Sequence, residues 1–214
     1  MDMFEKLKSA GVVPVVVIES AEDAVPTAKA LLRGGISFME ITFRTACAEE
    51  AIRNVAREVP EMHVGAGTVV NRKQAETAVK AGASFLVSPG LDEDTVIWCQ
   101  ENNIPMIPGC VTPTEIIKAI NLGLETVKFF PANVYGGVKA IHALSGVFRN
   151  VRFLPTGGVD AENMVEYVKE KSVVAIGGSW VCTSKDISDH EFERITDLSR
   201  EAMAIYHEAR RSET

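Results

Sequence analysis

One lysine in this chain stands inside an otherwise apolar run, Lys128 in TVKFFPA (Thr126 to Ala132). Lysine is almost never fully buried unless paired. One reading is a structural ion pair with Glu40, which stabilises little once desolvation is counted. The other is a nucleophile: a low-dielectric site disfavours the ammonium, and the free amine attacks a carbonyl carbon to form a Schiff base. Glu40 lies in a second informative stretch, SFMEITFRT (Ser37 to Thr45), where Met39, Ile41 and Phe43 alternate with Glu40, Thr42 and Arg44. A carboxylate there suits general acid/base work. Arg44 carries a planar fork that binds both oxygens of a carboxylate, although a plain surface arginine fits the spacing equally. Two glycine pairs complete the set, in Pro155-Thr156-Gly157-Gly158 and Ile176-Gly177-Gly178-Ser179. Backbone without side chains lets N–H groups approach phosphate oxygens, but tight turns also need glycine.

These residues need a scaffold that gathers them. Short β-branched runs alternate with longer helical patterns eight times, the strands beginning near Val12, Ser37, His63, Phe85, Pro105, Thr126, Arg152 and Val173. The spacing averages about 23 residues, enough for a strand, a helix and two short loops. Gly35, Gly82 and Gly123 mark helix ends, and Asn71, Asp92 and Asp160 stand where N-caps belong. Eight such units without a break predict an α/β fold, a single (β/α)8 TIM barrel over residues 1–214 with a short N-terminal helix. An open dinucleotide-binding sheet is disfavoured, because no G-x-G-x-x-G follows the first strand. In a barrel the polar sets of the second and sixth strands, with Glu40 and Lys128, point inward. The glycine pairs then fall after strands seven and eight, where barrels commonly hold a phosphate. The tail from Asp189 to Thr214 reads as a closing helix with Phe192, Ile195, Leu198 and Met203 on its apolar side.

Composition removes other classes. Apolar residues make up 46% and charged residues 24% of the 214, ordinary globular proportions that exclude disorder. With 22 basic against 29 acidic residues the net charge is −7, which disfavours nucleic acid as a partner. The apolar runs are too short for a membrane span, and Met1 to Ala10 lacks the core of a signal peptide, so a cytoplasmic protein with no membrane partner is expected. Cys47, Cys99, Cys110 and Cys182 are far apart and read as free thiols; with the scattered histidines they make no ligand spacing for a metal.

The motifs EITFRT (Glu40 to Thr45), GAGTV (Gly65 to Val69), VSPG (Val87 to Gly90), VKFFPA (Val127 to Ala132), PTGG (Pro155 to Gly158) and GGSW (Gly177 to Trp180) occur in order over nearly the whole chain. As a set they closely resemble the class I 2-keto-3-deoxy-6-phosphogluconate (KDPG) aldolases, also known as bifunctional 4-hydroxy-2-oxoglutarate (KHG) aldolases. The resemblance implies a homotrimeric barrel without cofactor or metal. Such an enzyme cleaves KDPG to pyruvate and glyceraldehyde 3-phosphate in the Entner–Doudoroff route, and KHG to pyruvate and glyoxylate. It implies Lys128 as the Schiff-base lysine and Glu40 as the general acid/base. Arg44 and Thr68 would hold the pyruvyl carboxylate, Pro89 and Phe130 would line the pyruvyl pocket, and Gly157, Gly158 and Ser179 would take the phosphate. Thr156 and Gly178, in the same two loops, join the substrate-binding set. Some relatives carry an arginine near the end of the first strand where this chain has Val17, which leaves the phosphate end less cationic.

Three other readings compete. An aldolase for the galactonate epimer differs only in the configuration of one hydroxyl-bearing carbon. A phosphosugar isomerase on the same fold would use an acid/base pair and no imine. A phosphate-ligand sensor would have lost the nucleophile or the base, and both are present.

Overall fold

The structure, a computed structural model, describes residues 3–211, so the last three residues of the expected closing segment lie outside it. After helix α1 (Met3–Ala10), strands alternate with helices: β1 (Val12–Val16), α2 (Ala24–Arg33), β2 (Phe38–Thr42), α3 (Ala48–Glu58), β3 (His63–Gly67) and α4 (Arg72–Ala81). Then come β4 (Leu86–Val87), α5 (Glu93–Glu101), β5 (Met106–Ile107), α6 (Pro113–Asn121), β6 (Thr126–Phe129) and α7 (Gly137–Val147). The chain ends with β7 (Arg152–Pro155), α8 (Met164–Val168), β8 (Ile176–Gly178), α9 (Ser184–Ser188) and α10 (Phe192–Arg211). No described helix is long and apolar enough to cross a membrane.

All strand pairings are parallel, as helical crossovers demand. They form a curled six-stranded sheet, in the order β5-β4-β3-β2-β1-β8, and a pair β6-β7. Single bridges join the two pieces, Gly109 to Lys128 on one side and Phe153 to Val173 and Thr156 to Gly177 on the other. The alternation expected of β2 is present. Met39 and Ile41 pack in the outer core against the helices, whereas Phe38 belongs to a separate inner cluster. That inner cluster joins Leu7 and Ala10 of α1 to Val13, Phe85, Val87, Ile107 and Leu154. The short N-terminal helix therefore plugs the inside of the curled sheet, and the apolar plug forms a floor beneath the polar residues.

Local signals explain most element ends. The Asn71 and Asp92 side chains accept the N–H groups of Gln74 and Thr95, capping α4 and α5. Helix α4 ends at Gly82 with φ +107°, a left-handed conformation that only glycine adopts at no steric cost. Asp160 departs from expectation: its carboxylate accepts from Glu162 and Asn163 N–H in a turn, and α8 begins three residues later behind Asn163. Strand β8 also starts later than expected, at Ile176, because only Ile176 to Gly178 run alongside β1. On α10 the buried line is Ile195, Ser199, Ala202, Met203 and Tyr206, while Phe192 and Leu198 are only partly covered. Small residues win that face because Ser199 packs onto the bare backbone of Gly34, where a Cβ would overlap it.

Helix α6 opens with a complete capping box between Thr112 and Glu115. Burial raises the Glu115 carboxyl, but hydrogen bonds from the Val111 and Thr112 N–H groups and the Thr112 hydroxyl outweigh it and hold Glu115 below its ordinary value. Glu115→Gln is expected to lower the unfolding free energy by about 1 kcal/mol at neutral pH. That contribution is present above the unfolded carboxylate value and fades as pH falls through the lowered folded one, so urea titrations in neutral and acidic buffer should show the gap closing.

The four cysteines are free. Burial pushes the Cys99 thiol up to about 11, and burial aided by Glu115 and by Asp186 pushes Cys110 and Cys182 up to about 12. Near neutral pH, iodoacetamide is expected to modify half-buried Cys47 in the native protein and to reach the other three only after unfolding. Rapid native labelling of Cys110, read by peptide mass mapping, would contradict this.

Candidate active site

Lys128 and Glu40 meet inside the curled sheet. The Lys128 Nζ donates to Glu40 Oε1 at 3.1 Å and to Oε2 at 3.4 Å. Their side chains are 5% and 1% exposed, so the pair is withdrawn from solvent. The strands carry each group there by alternation. Glu40 faces inward from β2, opposite Gly65 of β3, and Lys128 faces inward from β6, opposite Leu154 of β7. Two glycines of β3 make the room. A Cβ at Gly65 would overlap the Phe85 ring of the floor, and a Cβ at Gly67 would overlap Glu40 Oε1. The GAG sequence is thus what lets a phenylalanine and a carboxylate stand one above the other inside the fold.

Above the pair, at the C-terminal ends of the strands, lies a cavity of about 360 Å³. Phe130, Thr156, Gly157, Gly158, Gly178, Ser179 and Arg44 all line it. Lys128 precedes Phe130 by two residues on the same inward face, hence one layer deeper, and its Nζ lies 5.2 Å from the Phe130 ring centroid. Arg44 is exposed at the rim, and its Nε donates to Thr68 Oγ1 at 3.1 Å. Thr68 holds φ at +57°, uncommon for a β-branched residue and a kind of strain found at ligand sites. Among the described residues Arg44 has no carboxylate partner, so its second face is open to an anion.

The far end of the cavity is built from loops. Gly157 and Gly158 have φ of +91° and +74°. Their carbonyls are taken by Asn133 N–H and Asn163 Nδ2. Glycine-rich loops in this left-handed conformation suit a phosphate, because their backbone can approach its oxygens. The hydroxyls of Thr42 and Thr156 are buried and have no hydrogen-bond partner among the described residues.

One expected residue stays apart. Pro89 lines a shallower recess of about 230 Å³ with Val69, Val70 and Leu91, outside the cavity of Phe130, and its carbonyl lies against Gly109. Other lining residues escaped sequence reading: Val15, Val159, Cys182, Thr183 and Ser184. Val15 follows from the alternation of β1, but the last three lie beyond β8, where no periodicity points. A larger cavity of about 500 Å³, lined by Lys8, Glu125, Arg152 and Arg210, opens at the opposite ends of β6 to β8. Among the described residues it holds no buried lysine–carboxylate pair like that of Lys128 and Glu40.

A buried amine beside a carboxylate, under a mouth bearing one arginine and two glycine-rich loops, is equipped to hold a keto acid with a phosphate tail. Comparison with known proteins agrees. The family model described as KDPG and KHG aldolase matches residues 3–198. The KHG/KDPG aldolase of Escherichia coli (strain K12) is 48% identical over 197 residues, 92% of each chain. The KDPG aldolase of Legionella pneumophila, solved with pyruvate captured at low pH as a covalent carbinolamine intermediate, has a TM-score of 0.90 at 38% identity and covers 93% of this chain and 97% of its own. The 2-keto-3-deoxy-6-phosphogluconate aldolase of Zymomonas mobilis ZM4, solved with 3-phosphoglycerate, has a TM-score of 0.87 at 39% identity, with coverage of 95% and 96%. A match of this extent to both sequence and structure means that the chain belongs to the KDPG and KHG aldolase family.

Proposed function

We propose that the protein is a class I aldolase that cleaves KDPG to pyruvate and glyceraldehyde 3-phosphate, and KHG to pyruvate and glyoxylate. The observation that carries this reading is the buried contact of 3.1 Å between Lys128 and Glu40. Glu40 can take the proton that frees the Lys128 amine. The amine attacks C2 of the keto acid, and a proton passes from nitrogen to the former carbonyl oxygen. Glu40 gives its proton to that hydroxyl, which leaves as water. The product is a protonated imine that acts as an electron sink, with Glu40 again a carboxylate. Glu40 then removes the C4 hydroxyl proton, the C3–C4 bond breaks, and its electron pair forms the enamine. Protonation at C3 and hydrolysis of the imine release pyruvate and regenerate the amine. The iminium supplies the electrophile, so this route needs no metal or cofactor.

Arg44 and Thr68 fit the pyruvyl carboxylate, since Arg44 offers an open guanidinium face beside the Thr68 hydroxyl. Phe130 covers the pyruvyl group, whereas Pro89 lines the neighbouring recess. Gly157, Gly158, Gly178 and Ser179 take the phosphate, and Thr156 offers its unpartnered hydroxyl to the substrate between them. With Val17 in the lining, Arg44 is the cavity's one cationic side chain, so the phosphate is held by N–H groups and hydroxyls. The isomerase reading gives no reason to bury a lysine, and the sensor reading gives none to keep both groups. The curled sheet and the β6-β7 pair are taken together as one closed (β/α)8 barrel in a single domain, which the bridges at Lys128, Phe153 and Thr156 support. Homotrimeric association belongs to the same reading and is supported by exposed Ile117, Ile120, Val134 and Tyr135; the free thiols support a cytoplasmic setting.

The test is pyruvate release from KDPG and KHG by wild type and Glu40→Gln. The amide keeps the volume beside Lys128 but cannot take a proton, so turnover is expected to fall by about a hundredfold or more on both substrates. Unchanged turnover would remove Glu40 from the mechanism, and no cleavage of either substrate by wild type would overturn the assignment.

A further inference from the structure

We propose that Thr42 is a positioning residue for the proton transfers of Glu40: its hydroxyl and a Glu40 oxygen together hold one water molecule, through which protons pass to and from C3 of the bound keto acid. This rests on the imine reading above and assigns a part to a residue that reading does not use. Thr42 is fully buried, and its Oγ1 has no partner among the described residues. Buried hydroxyls in native proteins are generally paired, with protein or with ordered water. Packing gives no reason for threonine here, because valine has the same shape and would leave nothing unpaired.

The place of the hydroxyl defines its use. Thr42 follows Glu40 by two residues on β2, so both face inward and Thr42 is one step nearer the mouth. Its partner across β3 is Gly67, and the Glu40 carboxylate lies against that same bare glycine, which brings the carboxylate up to the level of Thr42. Inward neighbours on a strand stand roughly 7 Å apart, and two hydrogen bonds through one water span about 5.5 Å, within reach once the Glu40 side chain bends. Lys128 presents three donors as an ammonium but a single N–H as an iminium. Glu40 then loses part of its pairing, and the Thr42 hydroxyl is a donor already buried on the same face. When the enamine forms from bound pyruvate, the water gives one proton to Glu40 as it takes one from C3. The C3–H electron pair becomes the C2=C3 bond, and the C2=N pair returns to nitrogen. Reprotonation runs the same atoms in reverse.

The experiment is the exchange of pyruvate methyl protons in D2O, followed by proton NMR with no aldehyde present. Wild type is expected to exchange. Thr42→Val is expected to exchange about ten- to a hundredfold more slowly with KM for pyruvate changed less than about twofold, and Thr42→Ser to recover most of the rate. Thr42→Cys, of similar size but a much weaker hydrogen-bonding partner, carries the same expectation if the valine variant does not fold. Wild-type exchange by the valine or cysteine variant, a loss confined to KM, or a serine variant as slow as the valine one would each overturn the role of Thr42. A wild-type protein that leaves the methyl protons in place would instead overturn the imine reading beneath it.

Discussion

The structure is organised around an ion pair kept out of water. Lys128 and Glu40 are each almost wholly buried, and at such a site the loss of hydration opposes the Coulomb attraction. A hydrophobic pair of similar volume would stabilise the fold at least as well. The surroundings accommodate the pair all the same. Gly67 gives up its side chain to admit the carboxylate, and Gly65 gives up its own so that Phe85 can fill the floor below. Helix α1 closes that floor with Leu7 and Ala10, so water has no route to the pair from the N-terminal end. Among the described residues the polar approach is from the strand C-termini, where the cavity lies.

From floor to mouth the interior changes character in layers. Apolar side chains fill the lowest layer, the Lys128–Glu40 pair occupies the next, and the Thr42 and Thr156 hydroxyls, Phe130 and Arg44 lie nearer the rim. Alternation along parallel strands produces this ordering: each inward residue is followed two positions later by another, one layer higher. Loops then add what strands cannot. The left-handed glycines after β7 bring bare backbone to the cavity wall, and Thr68 after β3 turns its hydroxyl toward Arg44. The result separates a dry layer, which holds the buried amine and carboxylate, from a wetter mouth that carries the arginine and the glycine loops.

Much of this was legible in the sequence because strand alternation is a local rule. It placed Glu40 and Lys128 inside from their own neighbours alone, and it put Thr42 on the same face, although nothing local showed that its hydroxyl lacks a partner. The glycine pairs could be set at the cavity mouth because their position after the last two strands is fixed by chain order. Features that depend on distant segments were not legible. That Gly67 makes room for Glu40 requires knowing how β2 and β3 register. The buried line of α10 depends on Gly34, more than one hundred and fifty residues earlier. The apolar pattern read by itself found Ile195 and Met203 but added Phe192 and Leu198, which are only partly covered, and missed Ser199. Asp160 carried a capping residue's identity, yet its chain turns once more before the helix can start.

The claim at the centre is that the Lys128 amine, and no other, becomes covalently bound to the keto acid. Borohydride reduction in the presence of pyruvate, followed by peptide mass mapping, tests it directly. The account predicts a single reduced pyruvyl adduct, on the peptide that contains Lys128. An adduct on a different lysine, or an enzyme that turns over substrate yet resists borohydride, would contradict it.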